Sequence, residues 1–338
     1  MANGTKTIKD IAEIAGVSQS TVSKALNARP DVGAKTRDRI LKIADEEGFT
    51  PSIFGKGLKQ KLTENVGVIF IRESQPLSGN PFYSRVLEGI EAELALNNYN
   101  LVLHLLPETG IDIPPKMIRD HYVDGVILVG VIRQAYIEKL KTYGIPIILV
   151  DPKREFRDYG QILIDNEHGA YEATNHLIKN GHQRIGFISG ELDRLSFKQR
   201  YDGYVKALRG AGITFNKSLI RTHGLEQGYE HVVDLMKLRN PPTAIFAAND
   251  INAINGYRAF KDLGISVPED VSIIGFDDID LGRIATPALS TIRVYKEEMG
   301  SMAVRLMLKQ IQDEDGKPIT VMIPTRMVER DSVRSLVE

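Results

Sequence analysis

Residues 7–27, TIKDIAEIAGVSQSTVSKALN, hold two short helical patterns separated by a Gly-Val-Ser turn, which is the grammar of a helix-turn-helix. Thr7 is placed to cap the first helix, and Asp10, three residues on, completes a variant of the capping box. Ile8, Ile11, Ala12 and Ala15 fall on one face at helical spacing. Gly16 suits a left-handed helix end, and Ser18 can cap the second helix through its hydroxyl. In that second helix Val22, Ala25 and Leu26 turn inward. Gln19, Ser20, Thr21, Ser23 and Lys24 are left facing out, all of them hydrogen-bond donors and none acidic. An ordinary solvated face usually mixes in acids, whereas this one fits a helix lying in a DNA major groove. Gln19, Ser20 and Lys24 are then the residues to read base edges, with Ser18, Thr21 and Ser23 holding phosphates.

The charge distribution agrees. Residues 1–62 carry 11 Lys and Arg against 7 Asp and Glu, while the whole chain carries 43 against 44. A basic head on an acidic body fits a head that approaches phosphate and a body that does not. With 338 residues the chain is long enough for a small domain and a larger two-lobed one. It has no cysteine, which excludes disulfides and thiolate metal sites, and its seven histidines lack metal-ligand spacing. The N-terminus has no signal-peptide apolar run and no stretch is long enough to span a bilayer, so a cytoplasmic protein with no membrane partner is expected.

A third helix is expected over Ala34–Glu47, with Ile40, Leu41 and Ala44 buried, and Gly48-Phe49-Thr50-Pro51 ends it. The segment TIKDIAEIAGVSQSTVSKALN, the following TRDRILKIADEEGFTPS and the body of the chain together resemble the LacI/GalR family of bacterial transcriptional regulators. The resemblance covers essentially all of the sequence. It divides the chain into a DNA-binding head at 1–50, a hinge at 51–63 and an effector-binding and dimerisation core at 64–338. It further implies that the hinge folds as a helix only in a dimer on operator DNA, pressing paired Leu58 side chains, with Lys56 beside them, into the minor groove. Two departures stand out. Gly33 replaces a common serine cap, and Gly55 and Gly57 replace better helix formers at about 1 kcal/mol each, so this hinge should lean more heavily on DNA to order it.

From Val66 the chain alternates apolar runs with amphipathic helical segments, the pattern of parallel sheets covered on both faces. Strands are expected at Val66–Ile71, Leu101–Leu106, Val126–Val131, Ile147–Asp151, Ile185–Ser189, Ala244–Ala247 and Val271–Gly275. Helices are expected at Phe82–Asn97, His168–Lys179, Gln199–Arg209, Tyr229–Leu238 and Ala253–Leu263. The alternation restarts after about Ile162 and Thr291–Val294 returns, which gives two lobes with crossings near 162 and 291. Lys296–Gln312 is then a helix, and Ile319–Ile323 and Met327–Arg330 are late strands. The fold class is therefore α/β, and the resemblance implies a periplasmic-binding-protein-like core.

Ligands in such sheets sit at the carboxyl ends of strands. Those ends offer Phe82 or Tyr83 for stacking on a sugar or base, and Asp165, which can equally cap the helix it precedes. Arg194 and Ser196 follow another strand, as does Arg200, whose family counterpart holds ligand hydroxyls or a carboxylate. The resemblance also assigns effector contacts to Asn249 and Asp277, an ionised carboxylate matching two adjacent sugar hydroxyls. Asp250 and Asp278 are read as helix caps, and the Asn180-Gly181-His182 segment with His176 as structural.

The resulting expectation is a homodimeric repressor on an imperfectly palindromic operator, controlled by a small molecule between the lobes and needing no cofactor. A sugar is the simplest effector; a sugar phosphate, admitted by Arg194 and Lys198, or a purine or nucleoside stacked on Phe82 and Tyr83, is the alternative. A cytoplasmic sugar-binding protein without gene control would leave the head unexplained. An enzyme on a doubly wound fold would want a G-x-G-x-x-G turn or a P-loop, and neither is present.

Overall fold

The computed structural model describes residues 7–26, 29, 31–47, 62–72, 77–107, 113–312 and 317–337. The hinge expected at 51–63, with Lys56 and Leu58, lies almost wholly outside them, as does Asn27. The chain divides into two compact units, Met1–Thr63 and Glu64–Glu338.

The head contains α1 (Ile8–Ala15), α2 (Gln19–Leu26) and α3 (Ala34–Glu46). The capping box forms: Thr7 N donates to Asp10 Oδ2 at 2.7 Å, and Asp10 N donates to Thr7 Oγ1 at 3.4 Å. Gly16 takes the left-handed conformation at φ 64° and closes the first helix. The core is Ile11, Ala12, Ala15, Val22, Ala25, Val32, Ile40 and Ala44, with Ile43 packed against it. Leu41, expected inside, is 43% exposed. The apolar stripe of α3 runs instead through Ile40, Ile43 and Ala44, the i, i+3, i+4 set that meets α1 and α2.

The body begins with β1 (Asn65–Arg72), α4 (Pro81–Leu96), β2 (Asn100–Pro107), α5 (Lys116–Arg119), β3 (Gly125–Val129), α6 (Gln134–Lys141), β4 (Ile147–Val150) and β5 (Gly160–Ile164). It continues through α7 (Asn166–Lys179), β6 (Ile185–Ser189), α8 (Leu195–Gly210), β7 (Ile220–Thr222), α9 (Gly228–Met236), β8 (Ala244–Ala247), α10 (Asp250–Asp262) and β9 (Ser272–Ile274). It ends with α11 (Asp280–Ile284), β10 (Thr291–Val294), α12 (Lys296–Gln312), β11 (Thr320–Ile323) and β12 (Thr325–Val328). The first lobe is a parallel sheet in the order β11-β5-β4-β3-β1-β2, and the second a parallel sheet in the order β7-β6-β8-β9. Strands β3, β4, β6 and β8 are buried along their whole length, which is why they read as unbroken apolar runs.

Two helices on the first sheet, α4 and α12, pack without a spacer. On α4 a Cβ added to Gly89 would fall 2.0 Å from Glu297 O, and on α12 one added to Gly300 would fall 2.2 Å from Val86 O. Backbone meets backbone at that crossing, and only glycine permits it.

The chain crosses between lobes three times. It leaves the first sheet after β5 and returns from β10 into α12. A further crossing, absent from the sequence reading, takes β11 of the first sheet into β12, which pairs antiparallel with β10. Beyond it Ser332 seals the tail onto the second lobe, accepting from Ile273 N at 2.9 Å through its carbonyl and donating from Oγ to Ile273 O at 2.6 Å.

Candidate functional site

In the head, the outward face of α2 is as expected: Ser18, Gln19, Ser20 and Lys24 are exposed, with Thr21 and Ser23 half-buried. Ser18 Oγ accepts from Thr21 N at 3.1 Å and so caps the helix, while also meeting Ser20 Oγ and Thr21 Oγ1 at 2.8 Å. Lys24 Nζ reaches Asp31 Oδ2 at 2.6 Å, a pair exposed enough to open when phosphate competes.

In the body, the strand ends of the two lobes face one another across a cavity of about 140 Å³. The first lobe contributes Phe70, Phe82, Tyr83, Leu105 and Asp151; the second contributes Arg194, Ser196, Arg200, Glu226, Asn249 and Asp277. Seven of the eight effector residues expected from sequence line it. Asp165 does not: its Oδ1 accepts from His168 N at 3.3 Å and caps α7.

Arg200 is the centre of the second-lobe wall. It is 4% exposed. Its Nε donates to Asn166 Oδ1 at 2.8 Å, its Nη1 donates to Ala248 O at 2.6 Å, and its guanidinium stacks 3.8 Å above the Phe276 ring. Its Nη2 stands 3.1 Å from Asp277 Oδ1. That contact is a buried ion pair, which holds Asp277 Oδ1 inside the wall. Burial pushes the Asp277 carboxyl above the usual carboxylate range, opposed by the positive charges of Arg200 and Lys296. Asp277 also sits at φ 114°, a conformation rarely adopted by residues with a side chain.

Opposite, Asp151 follows β4 at φ 50° and accepts a 3.0 Å hydrogen bond from Tyr83 OH. Burial pushes its carboxyl up to about 6, against the lowering effects of Arg200 and Tyr83. Neither Asp151 nor Glu226 was singled out from sequence. The only signal for Asp151 was its place at a strand end, shared with many structural residues. Asn249 caps α10, its Oδ1 accepting from Asn252 N at 2.9 Å, which leaves its amide NH2 for a ligand. Phe82 and Tyr83 meet edge to face at 5.2 Å and 87°. Lys198, considered for an anionic ligand, does not line the cavity and pairs with Asp202 on its own helix.

The two acids read as caps have other tasks. Asp278 is held by Arg293 Nε at 2.6 Å and by Arg330 Nη2. Asp250 is fully buried, accepting from Ile279 N at 2.8 Å and Thr291 Oγ1 at 2.6 Å. Burial and the neighbouring Asp277 charge push Asp250 up to about 8. His182, as expected, is structural, bridging Thr243 Oγ1 at 3.0 Å and Arg334 O at 3.3 Å.

Asp250 gives a pH prediction. A raised folded-state carboxyl binds more protons than the unfolded chain, so its stabilisation is lost as pH rises through about 8. The half-buried His176 and the buried His182 and His231 are lowered by desolvation, so stability they withhold in acid is recovered by about pH 6.5. Between pH 6.5 and 8 the body's thermal midpoint should therefore fall, and Asp250→Asn should flatten that slope. Calorimetric melts across that range check it; a slope unchanged in Asp250→Asn would assign the titration elsewhere.

Among the described residues no helix is long and apolar enough to cross a membrane, and no group of three or more His, Cys, Asp and Glu could hold a metal ion.

Comparison with known proteins agrees with both halves. Residues 7–52 match the model of bacterial regulatory proteins of the lacI family, and residues 174–333 match a periplasmic binding protein-like domain. The chain is 32% identical to the HTH-type transcriptional repressor PurR of Mannheimia succiniciproducens, covering 98% of this chain and 99% of that one. It is 33% identical to the ribose operon repressor of Haemophilus influenzae over the same shares. A LacI family transcriptional regulator from Enterococcus faecium, solved with bound ribose, is 31% identical and superposes with a TM-score of 0.71 over 81% of this chain and 100% of that chain. The chain thus belongs to the LacI family of bacterial regulatory proteins, a DNA-binding repressor controlled by a small-molecule effector.

Proposed function

We propose that the effector is a neutral, polyhydroxylated single-ring molecule, most simply a monosaccharide, bound between Asp277 and Asn249 on one wall and Asp151 and Tyr83 on the other. The observation that carries this reading is the convergence of the Asp277 carboxylate, the Asn249 side chain, Asp151 and Tyr83 on one cavity, with Asp277 held in place by its ion pair to Arg200. A hydrogen bond from a ligand hydroxyl to a charged carboxylate contributes about 1.5–3 kcal/mol. Size supports one ring: a cavity of about 140 Å³ is close to the roughly 150 Å³ hole that accepts benzene. Polarity supports neutrality. Asp151, Glu226 and Asp277 line the cavity against Arg194 and Arg200, and Arg200 is already engaged by Asn166, Ala248 and Asp277. A phosphate would meet three carboxylates there.

A purine is the second reading, favoured by Phe82 and Tyr83 in the lining and by the PurR relatives. A thermal-shift series with D-ribose, D-glucose, D-ribose 5-phosphate and hypoxanthine separates them. A ligand at one hundred times its Kd adds about 2.7 kcal/mol. A shift with a free sugar supports the proposal, one with the phosphate alone overturns it, and one with hypoxanthine transfers it to the second reading.

The cleft is read as a binding site with no reaction of its own, a reading that family membership supports, and the protein as working in the cytoplasm. The relatives support a homodimer that places two heads on an imperfect palindrome. In each head Gln19, Ser20 and Lys24 read bases, and Ser18, Thr21 and Ser23 hold phosphates. Lys56 and Leu58 are assigned to the minor groove. Gln19→Ala should cost about 1–3 kcal/mol on the preferred operator and relax discrimination at one base pair, with the salt slope of binding unchanged. Lys24→Ala should reduce that slope if the ammonium reaches phosphate instead, so titrations at several salt concentrations check both assignments.

A further inference from the structure

We propose that Lys296 is a positioning residue for the effector site: it sets the turn that aims the Asp277 carboxylate into the cleft and fastens that turn to the first-lobe helix α12. This rests on the assignment of Asp277 to the effector. Lys296 opens α12 and is 6% exposed. Its three ammonium protons go to backbone carbonyls, those of Asp277, of Asp278 at 3.1 Å and of Val294 at 3.2 Å. A buried ammonium is costly to desolvate, and here it is matched by three peptide dipoles converging on one point.

Those carbonyls belong to the strained part of the site. Asp277 and Asp278 lie at φ 114° and 52°, which holds only where the surroundings over-determine the backbone. Lys296 grips both peptides. The rest of the grip comes from the segments that cross between lobes: Asp277 N donates to Ile292 O at 2.8 Å, and Arg293 and Arg330 hold the Asp278 carboxylate. Helix α12 packs on α4 and on the first-lobe strands β3, β4 and β5, so Lys296 links a second-lobe ligand group to a first-lobe element. The turn carrying Asp277 is thereby tied to the crossings themselves. A ligand that pulls on Asp277 loads the segments about which the lobes must rotate, which is a physical route from occupancy to conformation.

Lys296→Met keeps the apolar stem and removes the donors. In hydrogen exchange of the full-length, ligand-free chain, the backbone of residues 276–280 should exchange at least tenfold faster than wild type, with β8 unchanged. Wild-type exchange at 276–280 overturns the proposal. In D-ribose titrations Lys296→Met should weaken binding about tenfold, but less than twofold in an Asp277→Asn background, because a positioning residue acts only through the group it positions. Equal losses in both backgrounds would make Lys296 merely structural and overturn it. If wild type does not bind D-ribose, D-ribose is not the effector, while the exchange comparison still decides the role of Lys296. Should Lys296→Met not fold, Lys296→Gln carries the same exchange comparison with the same two outcomes.

Discussion

Asp277→Ala should weaken effector binding by about two orders of magnitude or more. Hydrogen bonds to a charged group contribute about 1.5–3 kcal/mol each, and a carboxylate serving two ligand hydroxyls supplies two of them. Every 1.4 kcal/mol is tenfold in affinity. The same change leaves Arg200, 4% exposed, without its ion-pair partner. Breaking a buried pair from one side costs about 3–5 kcal/mol, so the thermal midpoint should fall as well. Asp277→Asn separates the two effects: it keeps the shape and an acceptor oxygen, so it should lose affinity with a smaller loss of stability. Calorimetric titration beside thermal melts reads both quantities. Wild-type affinity in Asp277→Ala would remove Asp277 from the effector site.

The largest effect on stability should come from Gly89→Ala. The new Cβ would fall 2.0 Å from Glu297 O, and a backbone oxygen cannot swing aside as a side chain can. Helices α4 and α12 must separate, which unpacks Val86, Ile90, Met299 and Val304 from the first-lobe core. Overpacking typically costs 1–3 kcal/mol and occasionally more; this site should reach about 3 kcal/mol, or roughly 6–12 °C in the midpoint of a domain this size. Gly210→Ala is the control, because a Cβ there meets nothing within 4 Å and φ is not positive. It should be neutral or slightly stabilising. Equal losses for the two variants would mean that the helix crossing is looser than its geometry.

Much of this architecture was legible because burial leaves a simple trace. Ile185–Ser189, Ala244–Ala247 and Lys296–Gln312 were read to the residue, and Thr291–Val294, read as a crossing segment, is a strand. The three strands are almost wholly buried runs, and the helix carries a sustained apolar stripe. Short or edge elements left less to read. The strand Ile220–Thr222 is half-buried throughout, and the helices Lys116–Arg119 and Gln134–Lys141 span too few turns to establish a period. The third crossing was hidden because β11 and β12 are separated by Pro324 alone and both read as late strands.

At the site, sequence singled out Arg200, Asn249 and Asp277, which line the cavity, but could not sort carboxylates at strand ends. Asp165, Asp250, Asp277 and Asp278 are alike on paper. In three dimensions one caps a helix, one is fully buried on Thr291 and Ile279, one faces the cavity and one is gripped by two arginines. What separates them is the identity of neighbours more than ten residues away, which local pattern does not carry. Asp151 was missed for the same reason: its meaning comes from Tyr83, 68 positions earlier in the chain.

The most direct test of the central claim, that occupancy of this cleft controls DNA affinity, is fluorescence anisotropy on an operator selected from a random DNA library. Affinity is measured with and without saturating D-ribose, or whichever sugar of the thermal-shift series binds. The account predicts a change of about 5–150-fold, the usual range of coupling between sites, which disappears in Asp277→Ala at the same ligand concentration. A sugar that binds the cleft yet leaves operator affinity unchanged would contradict it.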